Sequence, residues 1–297
     1  MVTLSNNPIS FDLQEMRSPA FLDAYTRYGA VIVRNVLEPA HLDALKRTLC
    51  RILRSLLQNK GVDVEEHGDI DVYYQQLTAI GEELGGAVIR IVRDLPEYYQ
   101  LMCHPNMMKV IETLLQDNLF QVVHDISLFR IDPPIQNHHR KFDWHQDYHY
   151  NVLSRSAITA WVPLTAVAPD MGPLKIIPES HREMLPVCFN KGYALAGKGT
   201  GHKVFSLREC DTQSLDSRCL EVQGMQAGDI LFFHSLLLHA SGDNRSTDGK
   251  SRWVFNYRYG HLMDPEVVKR QWRVVRDRDP YYFTELHPDL VIYSQTD

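Results

Sequence analysis

The sequence at positions 228–239 reads GDILFFHSLLLH, an apolar run that predicts a buried β-strand ending at His239. The turn-forming residues Ser241–Asn244 follow this run. Further runs rich in β-branched and aromatic residues, bounded by Pro, Gly, Asn or Asp, lie at positions 120–131, 157–164, 174–177 and 252–259. Short strands at this spacing are typical of a β-sandwich or barrel. We therefore expect a mainly β fold with flanking helices.

The part of the chain before residue 119 has a different pattern. Apolar residues recur at helical spacing through positions 39–57, and a β-branched run at 30–33 predicts one strand. The sequence contains no internal repeat and no linker rich in Pro, Gly or Ser, so we expect one domain over residues 1–297. Its predicted parts are a helical buttress at 1–118, a β core at 119–260 with a lid-like loop at 186–224, and a C-terminal extension at 261–297.

Composition excludes several classes of function. The 297 residues include 31 Lys and Arg against 37 Asp and Glu, a net charge of −6 without a long basic run, so we expect no nucleic-acid partner. The longest apolar run is far shorter than the roughly 20 residues that span a bilayer, and the start of the chain has no secretory signal. Five cysteines without a CxxC pair predict free thiols. We expect a cytoplasmic protein that acts on a small molecule, and leave its oligomeric state open.

Two side chains that can bind a metal, His145 and Asp147, lie two residues apart in the segment WHQDYHY at 144–150. In an extended segment they project to the same face, where one ion can join them. Two histidines and one carboxylate form the ligand set of non-haem Fe(II) oxygenases. The second histidine must come from elsewhere, and His234 and His239 are the alternatives. We favour His239, because it ends the predicted strand and lies on the opposite face from His234.

Arg252 is a second feature with chemical meaning, thirteen residues after His239. On a strand over 252–259 its side chain shares one face with Asn256 and Arg258. An arginine that projects into an apolar barrel is costly unless it meets an anion, and its planar group matches a carboxylate. Arg252 therefore predicts a site for a dicarboxylate cosubstrate.

Four motifs of this sequence, in their order, resemble the phytanoyl-CoA dioxygenases and their relatives among the Fe(II)/2-oxoglutarate oxygenases. The motifs are WHQDYHY at 144–150, AWVPL at 160–164, MGPLKIIPESHR at 171–182, and GDILFFH through HASG at 228–242. The resemblance implies a double-stranded β-helix, or cupin-like jelly roll, in which His145, Asp147 and His239 bind Fe(II). It also implies that 2-oxoglutarate chelates the metal with its distal carboxylate on Arg252, and that O2 is the second cosubstrate.

The same resemblance implies two apolar contacts to the cosubstrate, from Trp161 and Leu128. Relatives that halogenate replace the metal-binding carboxylate with a small residue, so Asp147 favours hydroxylation. In this reaction 2-oxoglutarate is oxidatively decarboxylated to succinate and CO2. His181, in the third motif, is expected to form a structural hydrogen bond at a turn rather than to act in catalysis.

Polar residues close to these motifs indicate a hydrophilic or anionic substrate. The predicted substrate contacts are Arg130, His149, Tyr150, Asn256 and Arg258. A surface ion pair for Arg258 and a core position for Tyr150 are the alternatives. The long loop carries Lys191, Lys198, His202 and Lys203. These cations could close over a phosphate, but a solvated charged surface is the simpler interpretation.

The leading hypothesis is a dioxygenase that hydroxylates an unactivated C–H bond of a small, polar metabolite. The same cofactors also support desaturation, epimerisation, cyclisation or C–P cleavage. A zinc hydrolase with the same ligands leaves Arg252 unexplained. A metal-binding module without turnover leaves both the complete ligand set and Arg252 without a role.

Overall fold

The computed structural model describes residues 8–64, 68–134, 142–190, 204–273 and 281–293. Its strands are β1 (Ser10–Asp12), β2 (Ala30–Arg34), β3 (Phe120–Val122), β4 (Leu128–Asp132), β5 (Ile158–Pro163), β6 (Lys175–Ile176), β7 (Val187–Phe189), β8 (Phe205–Leu207), β9 (Leu220–Glu221), β10 (Ile230–His234), β11 (His239–Ala240), β12 (Arg252–His261) and β13 (Val291–Tyr293).

Its α-helices are α1 (Pro19–Tyr28), α2 (Pro39–Asn59), α3 (Ile70–Ile80), α4 (Glu82–Arg93), α5 (Pro96–Met102), α6 (Pro105–Leu115), α7 (Glu209–Thr212), α8 (Leu215–Arg218), α9 (Pro265–Lys269) and α10 (Tyr281–Leu286). Short 3-10 helices cover Leu13–Arg17, Asp147–His149, Pro169–Met171, Ser180–Arg182 and Pro288–Leu290.

The described part of the chain before residue 119 is mostly helical. Proline begins α1, α2, α5 and α6, because its fixed φ suits the first turn and its missing N–H leaves no helical bond unmade. The apolar stripe of α2 is buried: Leu42, Leu45, Leu49, Leu53 and Leu57. In the described part of the chain, no helix combines the length and the apolar character that crossing a membrane requires.

The expectation of a mainly β chain is corrected by the proportions of the structure. Helices, with the 3-10 helices included, account for 42% of the described residues and strands for 21%. Most strands are only two to six residues long, whereas α2 alone has 21 residues. The β pattern is therefore confined to the core after residue 119, together with the early strands β1 and β2.

Two sheets face each other across a core. The larger sheet has the order β1-β2-β10-β5-β12-β3, with β4 also paired to β12, and the smaller sheet has the order β11-β6-β9. Alternation along β10 divides the larger sheet into two faces. Phe232 packs in the hydrophobic cluster that includes the helices. On the other face, Leu231 and Phe233 pack with Leu174 and Ile176, which lie on the side of the smaller sheet. The space between the two sheets is where the site lies.

The strand predicted over 229–239 is interrupted in the structure. β10 ends at His234, and His239 lies in β11 of the other sheet. The Leu237 N–H donates to the His234 carbonyl at 2.8 Å, and the Leu236 N–H donates to His234 Nδ1 at 3.1 Å, so the chain turns between the strands. The apolar composition does not change through this turn, and for this reason the sequence at 229–239 predicts a single strand.

The segment at 186–224, predicted as a lid-like loop, contains regular structure. β7 and β8 pair antiparallel, and β13 from the C-terminal extension pairs in parallel with β7, which gives a third sheet. This sheet packs on Tyr148 and Leu236, and so ties the extension to the WHQDYHY segment. The helices α7 and α8 and the strand β9 follow. The predicted cations Lys191, Lys198, His202 and Lys203 lie outside the described residues.

Candidate metal centre

His145, Asp147 and His239 meet in a buried cluster between the two facing sheets. His145 and His239 form an antiparallel bridge, in which the N–H of each donates to the carbonyl of the other at 3.0 and 3.1 Å. Asp147 begins a 3-10 turn, and its Oδ1 lies 3.7 Å from His145 Nε2 and 3.9 Å from His239 Nε2. The three ligand atoms lie within 4.8 Å of one another, so a single ion can contact all of them.

The two imidazoles are held in the form that binds a metal. Nδ1 of His145 lies 2.7 Å from the Asp143 carbonyl, and Nδ1 of His239 lies 2.9 Å from the Leu237 carbonyl. Because a carbonyl only accepts, each Nδ1 carries the hydrogen and each Nε2 has a lone pair for a metal. Burial lowers the pKa of His145 to about 3 and also lowers the pKa of His239, so both rings are neutral.

Asp147 is ionised and held by two donors. Burial alone would raise the pKa of its carboxyl, but the Arg258 guanidinium and the hydrogen bond from Thr159 bring the pKa below its usual range. Arg258 Nη2 donates to both carboxylate oxygens at 3.1 Å, and Thr159 Oγ1 donates to Oδ2 at 2.7 Å. Arg258 thus pairs with a buried carboxylate rather than with a surface acid, and it also lines the cavity, where its contact with a substrate stays a prediction. One anionic and two neutral donors fit a divalent transition metal.

Arg252 reaches the same cavity from β12. Its Nη1 donates to the Met171 carbonyl at 3.2 Å, and its Nη2 donates to Asp132 Oδ2 at 2.9 Å. Asp132, which the sequence did not single out, also accepts from Arg130 Nη2 at 2.8 Å. The Nε of Arg252 is buried and has no hydrogen-bond partner within the described ranges. A buried donor without a partner fits a carboxylate ligand at this position.

The cavity beside the cluster brings together most of the predicted residues. Trp161, Asn256 and Leu128 lie side by side in the register of β5, β12 and β4 and line the cavity with Arg130 and Arg258. The cavity also contains residues for which no role was predicted: Asp132, Phe142, Leu174, Phe233, Ser241 and Val254. Strand alternation identifies Val254, which lies between Arg252 and Asn256 on their face.

His149 and Tyr150, which were predicted to contact substrate, are not among the residues that line the cavity in the described part of the chain. His149 Nε2 lies 3.0 Å from the Leu185 carbonyl, and the Tyr150 hydroxyl donates to the Phe205 carbonyl at 2.9 Å. Burial lowers the pKa of His149 to about 4, so this ring is neutral. These hydrogen bonds connect the segment that carries the metal ligands to the backbone at Leu185, before β7, and at Phe205 of β8.

His234 is not part of the metal cluster. It ends β10 beside His181, with their ring centroids 5.2 Å apart. His181 Nε2 lies 3.2 Å from the Thr26 carbonyl, which agrees with the structural role expected for it. Of the two alternatives, His239 is the histidine that joins His145 and Asp147.

Gln146, between the two ligands of the WHQDYHY segment, is fully buried and joins three parts of the chain. Its Nε2 donates to the Glu183 and Leu236 carbonyls at 2.7 and 2.6 Å, and its Oε1 accepts from the Leu185 N–H at 2.9 Å. Each of these backbone groups loses a partner if the amide is removed.

We expect Gln146→Leu to lower the free energy of unfolding by about 2–4 kcal/mol, because buried polar groups are left unsatisfied. Urea denaturation of the metal-free protein measures this loss. Gln76→Leu, on the exposed side of α3, is the matched control and should change stability by less than about 0.5 kcal/mol. Equal effects of the two substitutions would contradict the stabilising role assigned to the three hydrogen bonds of Gln146.

Two histidines and one carboxylate, buried between facing sheets beside an arginine, define a mononuclear non-haem metal enzyme. A sequence profile of the family described as phytanoyl-CoA dioxygenase (PhyH) matches residues 25–252. The chain belongs to this family. It is accordingly a non-haem Fe(II)- and 2-oxoglutarate-dependent oxygenase, an oxidoreductase that uses O2.

Individual relatives are distant in sequence. The peroxisomal phytanoyl-CoA dioxygenase of Bos taurus is 22% identical over 246 residues, which cover 82% of this chain and 67% of that protein. EctD from S. alaskensis with bound Fe has a TM-score of 0.55 at 17% identity, covering 86% of this chain and 82% of that chain. The epimerase SnoN, in complex with Fe3+, alpha ketoglutarate and nogalamycin RO, has a TM-score of 0.52 at 18% identity, covering 84% of each chain. These structural similarities show a shared fold.

Proposed function

We propose that this protein is a dioxygenase that hydroxylates an unactivated C–H bond of a small, polar metabolite and releases succinate and CO2. The observation that carries the proposal is the buried cluster of His145, Asp147 and His239. For the fold we propose a double-stranded β-helix, or cupin-like jelly roll, within one domain over 1–297. The two facing sheets that enclose the cavity support this architecture.

His145, Asp147 and His239 bind the iron in this proposal, because two neutral imidazoles and one carboxylate are a donor set that Fe(II) accepts. Arg252 binds the distal carboxylate of 2-oxoglutarate through the Nε–H that lacks a partner in the described structure. Bound iron, with 2-oxoglutarate and O2, supplies the oxidising chemistry that breaks the C–H bond.

Apolar side chains surround this polar centre and exclude water from it. Trp161 and Leu128 flank Asn256 on the larger sheet, and Phe233 lines the cavity from β10. We assign Trp161 and Leu128 to the cosubstrate. By excluding water they strengthen the attraction between Arg252 and a carboxylate, and they limit side reactions of the oxidant.

We assign orientation of the substrate to Asn256 and Arg130, two of the polar residues that line the cavity. The Arg130 guanidinium lies 4.3 Å from the centroid of the Phe142 ring, which holds it over an aromatic face. An amide and a guanidinium favour a substrate that carries hydrogen-bonding or anionic groups.

The same cofactors support a second outcome, such as desaturation, epimerisation, cyclisation or C–P cleavage. The structures of similar fold include the epimerase SnoN and the carbocyclase SnoK, which keeps this alternative open. Asp147 favours hydroxylation over halogenation, because its carboxylate takes the position that a halide would need. The product mass separates the outcomes: hydroxylation adds one oxygen, desaturation removes two hydrogens, and epimerisation leaves the mass unchanged.

Anaerobic titration of the metal-free protein with Fe(II), and then with 2-oxoglutarate, tests the proposal. We expect a weak visible charge-transfer band near stoichiometric addition, followed by succinate release when O2 is admitted. Metal binding without the band would overturn the cosubstrate assignment. Activity with Zn(II) in the absence of O2 would support a hydrolase instead.

Arg252→Met should raise the concentration of 2-oxoglutarate needed for half-maximal succinate release by an order of magnitude or more, because a charge-assisted pair is lost. Iron affinity should stay the same, since Arg252 does not contact the three ligands. The charge-transfer titration and succinate assay measure both quantities. An unchanged 2-oxoglutarate requirement would place the distal carboxylate elsewhere.

A further inference from the structure

Asp132 occupies an unusual place in the cavity, because its carboxylate is shared between two arginines. Oδ1 lies 2.8 Å from Arg130 Nη2, and Oδ2 lies 2.9 Å from Arg252 Nη2. The sharing follows from the register: Asp132 is directly opposite Arg252 on the neighbouring strand, and Arg130 lies two residues earlier on the same face of β4. Burial alone would raise the pKa of Asp132, but the two guanidinium groups lower it.

Arg252 is held by backbone carbonyls as well as by Asp132. Its side chain is almost fully buried, and Nη1 donates to the Met171 carbonyl at 3.2 Å, with the Gly242 carbonyl at 3.5 Å. Besides one hydrogen bond, Asp132 adds a negative charge to the surroundings of Arg252. The unpartnered Nε–H remains for a second carboxylate on the same guanidinium.

The net charge of Arg130, Asp132 and Arg252 determines how many negative charges these side chains can accept from a ligand. Arg130 and Arg252 bring two positive charges and Asp132 brings one negative charge, so the three side chains carry a single positive charge. A buried charge is costly unless it is paired. One further carboxylate neutralises the group, and a second negative charge would again leave an imbalance.

We propose that Asp132 determines the anion specificity of the Arg252 site, by limiting it to one carboxylate. This inference rests on the proposed function, in which that carboxylate is the distal end of 2-oxoglutarate. Asp132 weakens binding of every anion at Arg252 through like-charge repulsion, and most strongly that of a dianion such as sulfate. Arg130, on the far side of Asp132, has the opposite effect. Its positive charge offsets the carboxylate of Asp132 and so reduces the repulsion of an anion at Arg252.

A cycle of charge-changing variants tests the inference. The iron-loaded protein is titrated with 2-oxoglutarate under anaerobic conditions, with and without sulfate as the competing dianion. Asp132→Asn should tighten 2-oxoglutarate binding about tenfold and increase competition by sulfate by more than that, since interior charges about 5 Å apart interact strongly. Arg130→Gln should weaken 2-oxoglutarate binding by a similar factor.

The double variant Arg130→Gln with Asp132→Asn keeps the single positive charge, so its affinities should return close to those of the unchanged chain. It also retains a hydrogen-bonding pair of amides, which favours folding if either single variant is unstable. Asp132→Glu should preserve the low affinity for sulfate. Asp43→Asn on the exposed side of α2 removes an equal charge and should leave both affinities unchanged.

Weaker or unaltered 2-oxoglutarate binding in Asp132→Asn would overturn the proposal, as would a double variant that binds no better than Arg130→Gln. Failure of the proposed function has a different signature. In that case Arg252→Met leaves 2-oxoglutarate binding unchanged in the native chain, and the charge cycle has no effect on it.

Discussion

We expect His239→Ala to lower iron affinity by more than about 100-fold and to abolish succinate formation, because it removes one of three metal ligands. His234→Ala should leave iron affinity within about threefold, since this histidine ends β10 outside the ligand cluster. The two residues are five positions apart in one apolar run, so the same substitution at both sites is a matched comparison.

Anaerobic binding of Fe(II) measures the ligand role directly, and succinate release measures turnover. Thermal unfolding of both metal-free variants is the control for misfolding. Loss of iron affinity in His234→Ala, with retention in His239→Ala, would reverse the assignment. Retention of iron affinity in both folded variants would place the metal at neither histidine.

The ligand cluster could be predicted from sequence because its signals are local. His145 and Asp147 are two residues apart, and His239 follows an apolar run that marks a strand. Local patterns also identified the starts of several helices, where proline occupies the first turn. His145 and Asp147, and the residues at each helix start, are close together in the chain, whereas the fold brings His239 to them.

The side chains that support the cluster could not be predicted in this way. Arg258 contacts Asp147 across 111 positions, and Asp132 contacts Arg252 across 120 positions. Both contacts depend on which strands pair and in which register, and neither is encoded by a pattern within one segment. The sequence showed that Arg252 needed an anion, but not that Asp132 would be one of its partners.

Turns account for other differences. His149 and Tyr150 were chosen because they follow the metal motif closely, but the chain enters a 3-10 turn at Asp147, and neither residue is among those that line the cavity in the described structure. One strand was predicted through Ser235, where hydrogen bonds to His234 turn the chain. Side-chain direction follows the backbone locally, and an apolar composition alone does not reveal a change in backbone conformation.

We expect Arg258→Met to destabilise the metal-free protein by about 3–5 kcal/mol, because it leaves the buried carboxylate of Asp147 without its counter-ion. Arg155→Met is the matched control. Arg155 pairs with Glu266 at 3.1 Å, but about half of each side chain is exposed, so its loss should cost less than about 1 kcal/mol. Urea denaturation in the presence of a chelator measures both effects.

A charge effect can be separated from a packing effect in the same variant. Asp147→Asn added to Arg258→Met removes the unpaired charge, so the double variant should recover part of the lost stability. Saturating Mn(II), a redox-stable substitute for Fe(II), should also recover part of it in Arg258→Met, because a cation on Asp147 replaces the missing positive charge. If the loss came from a cavity, Asp147→Asn would not help, and Mn(II) would stabilise Arg258→Met no more than it stabilises the unchanged chain, since the volume left by the guanidinium would remain unfilled. Recovery by both routes would therefore show that Arg258 stabilises the empty metal site by holding Asp147 in its ionised, ligand-ready form.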